Sequence, residues 1–370
     1  MKERIYLDYN ATSLINPEVA ELMVGMLQEP HAYNPSSIHE DGRKARGIME
    51  KSRQEIAKEL HIDTHKDDIQ IIFTSSGTEA NNLVSHNFKH LKFLIGATEH
   101  VSIFDLQHPD KIIIEVTEQG LIDPNYFTKL LKLYPGPKLV SIMLANNETG
   151  IIQDIQTLSK IAHQENAIVH CDASQAFCRI KVNFHDLECD MMTISSHKCG
   201  GPVGVAALIS KKSMNINSMI KGGKQELGLR AGTENIIAIA GFGLIAHSYS
   251  NQFEKVSLLR DYLEKEIIRI APDSKIIGHN TARLPNTSSI RMPNVKSEEQ
   301  LIKFDLAGIS ISAGSACSSG RIADSHVLKA MNIDETIINE IIRVSIGPRT
   351  TKDQLDKFIQ VWTEIYKKAN

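Results

Sequence analysis

The sequence predicts an α/β fold with a large lobe around a mainly parallel, mixed seven-stranded sheet and a smaller α+β lobe at its C-terminal end. Between about residues 70 and 210, seven short runs rich in Ile and Val alternate with helix-compatible stretches. This alternation is typical of a parallel sheet covered by helices on both faces. After about residue 250 the pattern changes to a charged helix, followed by short strands mixed with amphipathic helices.

The strand candidates of the large lobe are IQIIFT, KFLIGA, KIIIEV, KLVSIML, AIVHCD, MMTISS and VGVAALIS. The small lobe begins with the helix pattern FEKVSLLRDYLEKEIIRIA and ends with LDKFIQVWTEIYKK, with the strand patterns NTSSIRM, GISISAG and IIRVSIG between them. We therefore expect three units: an N-terminal segment (1–15) that packs with the small domain, a large domain (16–252) and a small domain (253–370).

The composition is that of a folded protein of ordinary polarity. Of the 370 residues, 42% are hydrophobic and 23% are charged, which predicts two lobes with a sizeable core and argues against disorder. The 41 Lys and Arg residues nearly balance the 44 Asp and Glu residues. This balance lacks the electrostatic footprint of a protein that binds nucleic acid or an anionic membrane, so neither partner is expected.

The N-terminal residues and the cysteines indicate a cytoplasmic location. The start, MKERIYLDYNATS, lacks the apolar segment and small-residue cleavage site of a signal peptide. The longest uncharged stretch, 235–253, is interrupted by polar residues and predicts no membrane span. The five cysteines form no C-x-x-C pair and are odd in number, which favours a reducing compartment over a disulfide framework or a metal site.

In IIFTSSGTEANNL, an apolar strand ends in small residues and a helix begins immediately. A strand that turns into a helix through Gly77 and Thr78 leaves free backbone N–H groups at the positive end of the helix dipole, which suits a phosphate. An ordinary helix cap with Glu79 in the first turn is the alternative. These residues alone leave both interpretations open.

Two charged residues follow buried strand patterns. Asp172 ends AIVHCD, where a carboxylate is costly unless it meets a donor or a cation, such as the ring nitrogen of pyridoxal phosphate. A structural, capping or ion-paired aspartate is the alternative. Lys198 lies in SSHKCGG between two apolar strands, where a desolvated amine can form a Schiff base with an aldehyde. A lysine that caps a loop carbonyl is an equally open interpretation.

His100 and Asn147 follow two further strand patterns. Because the carboxyl ends of parallel strands share one edge of a sheet, these two side chains should lie near Asp172 and Lys198, and this convergence predicts a cofactor site. Cys317 lies apart from them, in the small-residue tract SAGSACSSG. Such a tract packs poorly, so it favours an accessible thiol over the buried, inert cysteine that is generally expected.

From YLDYNATS near the start to RVSIGPRTT near the end, the chain resembles the cysteine desulfurases, pyridoxal-phosphate enzymes of the class V aminotransferase-like group. The most specific segments are NPSSIHEDGRKAR, TSSGTEANNL, NNETGIIQDI, HCDASQAF, SSHKCGGPVGVAAL, GGKQELGLRAGTEN and GSACSSG. The resemblance implies a fold-type-I transferase whose large domain binds pyridoxal 5′-phosphate. The tract around Cys317 is similar to that of the branch with a longer, flexible loop, whereas Cys199 departs from the bulky aromatic residue common beside the lysine.

The resemblance also implies a role for each site residue. Lys198 would hold the cofactor aldehyde and act as a base, and His100 would stack on the ring and carry protons. The remaining cofactor-binding residues would be Gly77, Thr78, Asn147, Asp172, Gln175, Ser195, His197 and, from the neighbouring subunit of a homodimer, Thr233. Asn147 and Arg343 would hold the substrate carboxylate, since a guanidinium fork matches two carboxylate oxygens.

The activity implied is conversion of L-cysteine to L-alanine, with the sulfur moved to Cys317 as a persulfide. The persulfide would then serve a sulfur-acceptor protein, such as an iron–sulfur scaffold or a protein of tRNA or cofactor thiolation. Alternatives left open are a selenocysteine lyase, another class V aminotransferase, and a catalytically silent scaffold in sulfur metabolism.

Overall fold

The computed structural model of the protein describes residues 4–248, 253–314 and 325–369. Its strands are β1 (Ile5–Tyr6), β2 (Ile69–Thr74), β3 (Lys92–Gly96), β4 (Lys111–Ile114), β5 (Lys138–Met143), β6 (Ala167–Asp172), β7 (Met191–Ser195), β8 (Ala206–Lys211), β9 (Lys275–Ile276), β10 (Thr287–Arg291), β11 (Ile309–Ser310) and β12 (Ile341–Ser345). Its α-helices are α1 (Pro17–Gln28), α2 (Glu40–Glu59), α3 (Gly77–Asn87), α4 (Val101–Phe104), α5 (Pro124–Leu133), α6 (Ile155–Gln164), α7 (Phe184–Leu187), α8 (Ile236–Ser248), α9 (Phe253–Ile270), α10 (Ser297–Leu306), α11 (His326–Ala330), α12 (Glu335–Ile338) and α13 (Lys352–Ala369).

Within the described residues, a seven-stranded sheet with the order β2-β8-β7-β6-β5-β3-β4 forms the centre of the large lobe. β8 runs antiparallel to both β2 and β7, and the other neighbouring strands are parallel. Each of the seven apolar runs contributes one strand to this sheet. The predicted α/β class and the mainly parallel, mixed sheet are therefore confirmed.

Side chains of these strands pack on both faces of the sheet. Leu94 and Val140 belong to the larger hydrophobic core, whereas their chain neighbours Phe93 and Leu139 pack in a second core with residues of α3. Successive residues of a strand point to opposite faces, so two buried faces require apolar side chains at nearly every position. This is why the strands appear in the sequence as continuous apolar runs.

The sheet brings five strand ends to one edge. β3, β5, β6 and β7 are parallel, and β2 has the same direction because β8 runs opposite to both β2 and β7. The N-terminus of α3 follows β2, and His100 and Asn147 follow β3 and β5. Asp172 is the last residue of β6, and Lys198 follows β7. The sheet direction thus places these groups at a common edge.

The C-terminal part of the chain forms a smaller α+β region. β10 pairs antiparallel with β9 and β12, and α9, α10 and α13 pack around these strands. Phe304 of α10 stacks on Phe358 of α13 with ring centroids 4.6 Å apart. The small α+β lobe predicted from the sequence is therefore present.

The N-terminal segment lies against this C-terminal region. β1 pairs in parallel with β11, and the N–H of Tyr9 donates to the carbonyl oxygen of Ser345 at 3.1 Å. The domain boundaries at 15/16 and 252/253 stay predictions. Across the described ranges, no helix is both long enough and apolar enough to cross a membrane.

Candidate active site

A cavity of about 320 Å³ opens at the edge where the five strand ends meet. Its lining residues are Asn10, Ala11, Ser76, Gly77, Thr78, Asn81, His100, Ser102, Met143, Ala145, Asn147, Asp172, Ser174, Gln175, Ser195, His197, Lys198 and Arg343. All of the predicted site residues are among them except Thr233 and Cys317. Cys317 lies outside the described residues.

One wall of the cavity is the N-terminus of α3. Ser76 caps this helix by accepting from the N–H of Glu79 at 3.1 Å, and the first N–H groups of a helix have no partner within it. The hydroxyls of Ser174 and Ser195 are buried with no hydrogen-bond partner among the described residues. A Cβ added to Gly77 would lie 3.3 Å from Ser174 Oγ. Unpaired donors at a positive helix end therefore surround a space that suits a phosphate group.

The carboxylate of Asp172 is buried and held by two donors. Asn81 Nδ2 donates to Asp172 Oδ2 at 2.9 Å, and the backbone N–H of Ser174 donates to Asp172 Oδ1 at 2.9 Å. These bonds fix the orientation of the carboxylate at the cavity wall. An oriented acceptor of this kind fits the ring N–H of a pyridinium cofactor.

Lys198 ends a short 3₁₀ turn, Ser196–Lys198, directly after β7. Its Nζ donates to the carbonyl oxygens of Asn10 at 2.5 Å and Ala11 at 2.9 Å. The sequence left open that Lys198 caps loop carbonyls, and these contacts from its ammonium group are present. The same side chain also lines the cavity, and an amine is the group that forms a Schiff base with an aldehyde.

The two imidazoles of the cavity are neutral near pH 7. Burial lowers the pKa of His197 to about 4, and the charges of Lys198 and Arg179 act in the same direction. Burial also lowers the pKa of His100, although the carboxylate of Asp172 opposes this effect. Because both pKa values lie below the ordinary histidine value, neither ring brings a positive charge to the cavity at neutral pH.

Arg343 reaches the cavity from β12 of the C-terminal region. Its Nη1 donates to the carbonyl oxygen of Asn147 at 3.0 Å, and its Nη2 forms an ion pair with Asp8 Oδ1 at 2.7 Å. The Nε of this buried guanidinium has no partner among the described residues. Asp8 thus already binds part of the guanidinium fork that the resemblance assigns to a substrate carboxylate.

Gln175 and Lys198 share contacts with a buried cation. Arg179 donates from Nη1 to the side-chain oxygens of Gln175 and Asn10, and from Nη2 to the carbonyl oxygen of Lys198 at 3.0 Å. Gln175 Nε2 in turn donates to the carbonyl oxygen of Asn10 at 3.0 Å. The N-terminal segment, the turn after β6 and the lysine turn are therefore joined in one hydrogen-bonded group.

The sequence interpretation did not select several residues that this site uses. They are Asn10, Asn81, Ser102, Ser174 and Arg179. Their spacing from selected residues is a signal that could have identified some of them. Asn81 follows Gly77 by one helical turn, Ser102 follows His100 by two positions, and Arg179 follows Gln175 by four.

Thr233 lies away from the cavity of Lys198. It lines a separate space of about 140 Å³ together with Ser75 and Arg230, among others. Arg230 is anchored there by Glu79 of α3, with Nε and Oε1 2.9 Å apart. Thr233 therefore lies near the start of α3 but lines a different cavity from Lys198.

The chain has relatives over its whole length. The family described as aminotransferase class-V matches residues 5–358. The cysteine desulfurase IscS of Dictyoglomus turgidum is 38% identical over 386 residues, which cover 100% of this chain and 96% of that protein. A NifS-like protein from Rickettsia africae is 40% identical with a TM-score of 0.92, over 99% of this chain and 100% of its own. A structure of SspA in complex with cysteine is 26% identical with a TM-score of 0.77, over 94% of this chain and 100% of its own.

These comparisons agree with the expectation from the sequence motifs and with the sheet that positions the cavity. The similarity extends over both lobes, so it confirms the predicted fold-type-I architecture. It also confirms the resemblance on which the sequence interpretation depends. The chain therefore belongs to the class-V aminotransferase family and, within it, to the cysteine desulfurases.

Proposed function

We propose that this cysteine desulfurase uses pyridoxal 5′-phosphate, converts L-cysteine to L-alanine, and stores the sulfur on Cys317 as a persulfide for an acceptor protein or small thiol. The observation that carries the proposal is the convergence of four kinds of group in one cavity. These groups are the amine of Lys198, the carboxylate of Asp172, the imidazole of His100 and the hydroxyls of Ser174 and Ser195, which have no hydrogen-bond partner in the part of the chain that the structure describes.

The residues of the cavity fit the cofactor at each of its functional groups. The N-terminus of α3, with Ser195 and His197, would bind the phosphate, and Asp172 would accept from the ring nitrogen. Gln175 would bind the phenolic oxygen, and Lys198 would hold the aldehyde. When bound, pyridoxal phosphate supplies an electron-withdrawing ring that stabilises negative charge on the substrate carbon.

Lys198 would also take the proton that the substrate loses from its Cα atom. The carbonyl oxygens of Asn10 and Ala11 lie 2.5 Å and 2.9 Å from Nζ. They accept from the ammonium form, so they would hold Lys198 after it receives the proton. The N-terminal segment therefore contributes directly to the site of proton transfer.

Asn147 and Arg343 would hold the carboxylate of L-cysteine and so direct its sulfur. The thiolate of Cys317 attacks that sulfur, an S–S bond forms, and the C–S bond breaks with its electron pair left on carbon. That carbon takes a proton and becomes the methyl group of alanine. Cys199 is next to Lys198 in the chain but is 0% exposed, which argues against it as the sulfur store.

Two features support a homodimer in which Thr233 serves the partner's cofactor. Thr233 lines a cavity that does not contain Lys198, although the resemblance assigns it to the phosphate. The same stretch of chain exposes Leu227, whose side chain is 83% accessible. Leu227 is a large apolar side chain left exposed near Thr233, and Thr233 lies away from the cavity of its own subunit. Both features are expected of a surface that contacts a second copy of the chain.

A cytoplasmic location is part of the proposal. The cysteines that the structure describes, Cys171, Cys178, Cys189 and Cys199, are all buried free thiols. Free thiols are typical of reducing compartments, where a persulfide can be transferred without competing disulfide formation.

The proposal is tested with protein reconstituted with pyridoxal phosphate and supplied with L-cysteine and dithiothreitol. We expect alanine and sulfide in equal amounts, and borohydride treatment should attach the cofactor to the peptide that contains Lys198. A Cys317→Ser variant should retain the borohydride-dependent label but lose sulfide release. Cys199→Ser is the matched control and should release sulfide normally, because a hydroxyl can replace the hydrogen bonds of that buried thiol to the carbonyl oxygens of Phe177 and Ser195.

Other outcomes separate the alternatives. If Cys317→Ser retains full activity with selenocysteine and the wild type releases no sulfide from cysteine, the chain is a selenocysteine lyase. If the products require an amino-group acceptor, it is an aminotransferase. Protein that takes up no cofactor and shows no label on any lysine would be a silent scaffold, and a label on a lysine other than Lys198 would refute the assigned site.

A further inference from the structure

A chain of hydrogen bonds joins Asp172 to His100 through two residues outside the predicted site. Asn81 Nδ2 donates both to Asp172 Oδ2 and to Ser102 Oγ, each at 2.9 Å. Ser102 Oγ lies 2.8 Å from His100 Nδ1. All four residues line the cavity. The carboxylate and the imidazole that would both contact the ring of the cofactor are thus linked through Asn81 and Ser102.

The backbone at the start of α4 determines which nitrogen of His100 carries the proton. His100 is the N-cap of α4, and the backbone N–H of Ser102 donates to His100 Nδ1 at 3.2 Å. A backbone N–H can only donate, so Nδ1 must present a lone pair. The proton of the neutral ring therefore resides on Nε2.

The hydroxyl of Ser102 acts in the same direction. A carboxylate only accepts hydrogen bonds, so the amide of Asn81 must turn its Nδ2 towards Asp172. The same Nδ2 then donates to Ser102. Ser102 Oγ accepts from Asn81, which leaves its hydroxyl hydrogen available to His100 Nδ1. Protonation of Nδ1 would set its N–H against the fixed backbone N–H of Ser102 and break the helix cap.

We infer that Ser102 and Asn81 are positioning residues that hold His100 neutral with its ring proton on Nε2, so that His100 faces the bound ligand as a hydrogen-bond donor. The inference rests on the proposed function in one respect: the proposed function identifies the bound ligand as pyridoxal phosphate with its substrate. Its consequence is that the resting His100 cannot accept a proton at Nε2. Lys198 is then the proton acceptor for the substrate, and His100 supplies a directed N–H.

The charged and titratable groups around His100 do not reverse this arrangement. Asp172 and Asp105 favour the protonated ring, whereas Lys198 and His326 oppose it, and burial opposes it most strongly. His326 is itself held by the carbonyl oxygen of Glu99, 2.9 Å from its Nε2. The charges are mixed in sign, so the direct hydrogen bonds to Nδ1 decide the tautomer.

The inference is tested on cofactor-free, full-length protein labelled with ¹⁵N-histidine, with the His100 signals assigned through a His100→Gln variant. At pH 8 and pH 7 we expect wild-type Nδ1 to give the signal of an unprotonated acceptor and Nε2 that of an N–H group. Ser102→Ala should raise the pH at which His100 protonates by about 0.5 to 1 unit, because one hydrogen bond to the neutral form is lost. Ser102→Thr retains the hydroxyl and should restore the wild-type value.

Asn81→Ala tests the second positioning residue. It should also raise the protonation pH of His100, since Ser102 then loses its fixed orientation. Asn82→Ala is the matched control, because Asn82 lies next in α3 and its Nδ2 donates to Thr78 O, at 2.8 Å, on the exposed side. It should leave the His100 signals unchanged. If Asn81→Ala does not fold, Ser102→Ala and Ser102→Thr decide the question.

Two results would overturn the inference. One is a wild-type His100 with its proton on Nδ1, and the other is a protonation pH that neither Ser102→Ala nor Asn81→Ala changes. Because the measurement uses protein without cofactor or substrate, it is independent of the desulfurase assay. Failure of the proposed function and failure of this inference are therefore distinguished.

Discussion

The guanidinium of Arg179 donates to the carbonyl oxygen of Lys198 at 3.0 Å. Through its other nitrogen it donates to Asn10 Oδ1 at 2.7 Å and also to Gln175 Oε1. Arg179 is buried, so these bonds form where water cannot replace them. One cation therefore sets the positions of the lysine turn and the N-terminal carbonyls to which the lysine amine is bound.

Replacement of Arg179 by Met should destabilise the cofactor-free protein by about 3 kcal/mol, because several buried acceptors lose their donor together. It should also weaken pyridoxal phosphate binding by at least about tenfold, since Gln175 and Lys198 lose their orientation. Arg179→Lys should recover only part of both losses, as one ammonium cannot reproduce the fork. Thermal unfolding and cofactor titration measure these effects. Arg269→Met, which changes an exposed arginine of α9, is the control, and equal effects in both variants would contradict the assigned role.

Gly77→Ala should weaken cofactor binding more than it weakens the fold. The new Cβ would lie 3.3 Å from Ser174 Oγ and 3.6 Å from Thr193 Cγ2, so it would push the helix start away from the hydroxyls that we propose face the phosphate. We expect a loss in affinity of about tenfold or more, equivalent to roughly 1.4 kcal/mol.

The control for this substitution is Gly47→Ala in α2, where an added Cβ meets nothing within 4 Å. Alanine is the better helix former, so this variant should be more stable by about 0.5 to 1 kcal/mol. Its cofactor affinity should equal that of the wild type. If Gly77→Ala also binds the cofactor normally, the start of α3 does not bind the phosphate.

Arg343→Lys should raise the KM for L-cysteine by about tenfold and change kcat less, because lysine cannot form the two parallel bonds of a guanidinium with a carboxylate. The ion pair with Asp8 adds a second expectation. Asp8→Asn should lower that KM, since it removes the negative charge that competes with the substrate carboxylate for Arg343, whose Nη2 is 2.7 Å from Asp8 Oδ1. Steady-state kinetics test both variants. Arg291→Lys on the adjacent β10, where the partner is Glu340, is the matched control, and a KM increase of the same size in that control would contradict the prediction.

The strands and the common edge of the site were predictable because they depend on local pattern. The central strands of the large sheet are buried on both faces, which produces continuous apolar runs, and parallel strands necessarily align their carboxyl ends. His100, Asn147, Asp172 and Lys198 could therefore be grouped from their positions after strand patterns alone. Their placement around one cavity agrees with that grouping.

The contacts that orient these groups were not predictable, because they join distant parts of the chain. Arg343 and Asp8 are 335 positions apart, and Arg179 and Asn10 are 169 positions apart. Nothing in the pattern around either arginine indicates its partner. The packing of the N-terminal segment on the C-terminal region creates the Arg343–Asp8 contact, and its packing on the turn after β6 creates the Arg179–Asn10 contact. The capping role of His100 was missed for a different reason: histidine is not among the usual N-cap residues.

Leu227→Asp should dissociate the proposed homodimer and weaken pyridoxal phosphate binding in the same variant, because Thr233 of the partner subunit is then lost. Leu227 is 83% exposed and has a φ of 59°, a backbone conformation that a leucine rarely adopts. Sedimentation equilibrium and cofactor titration check the two effects together. Leu306→Asp is the control, since Leu306 is 82% exposed at the end of α10. A Leu227→Asp variant that remains dimeric would show that this segment is not the interface.

The free energy of unfolding should depend on pH because the imidazole of His170 is buried and neutral in the folded protein. This ring lies inside the sheet between Ser141 Oγ at 2.8 Å and Thr193 Oγ1 at 3.0 Å, and burial lowers its pKa to about 4. In the unfolded chain its pKa is about 6.5. The unfolded state therefore binds more protons than the folded state between these values, and stability must rise with pH across that range.

The contribution of His170 is fully present above about pH 6.5 and is lost as the pH falls towards 4, by up to about 3 kcal/mol. Urea unfolding of the cofactor-free protein at pH 7, 6 and 5 should show this loss. His170→Gln should reduce the slope of the unfolding free energy against pH. A smaller slope should remain, because the pKa values of His100 and His197 are also lowered. His65→Gln, which changes an exposed histidine, should leave the slope unchanged. If His170→Gln and His65→Gln give the same slope, His170 is not neutral in the fold, and another group causes the acid sensitivity.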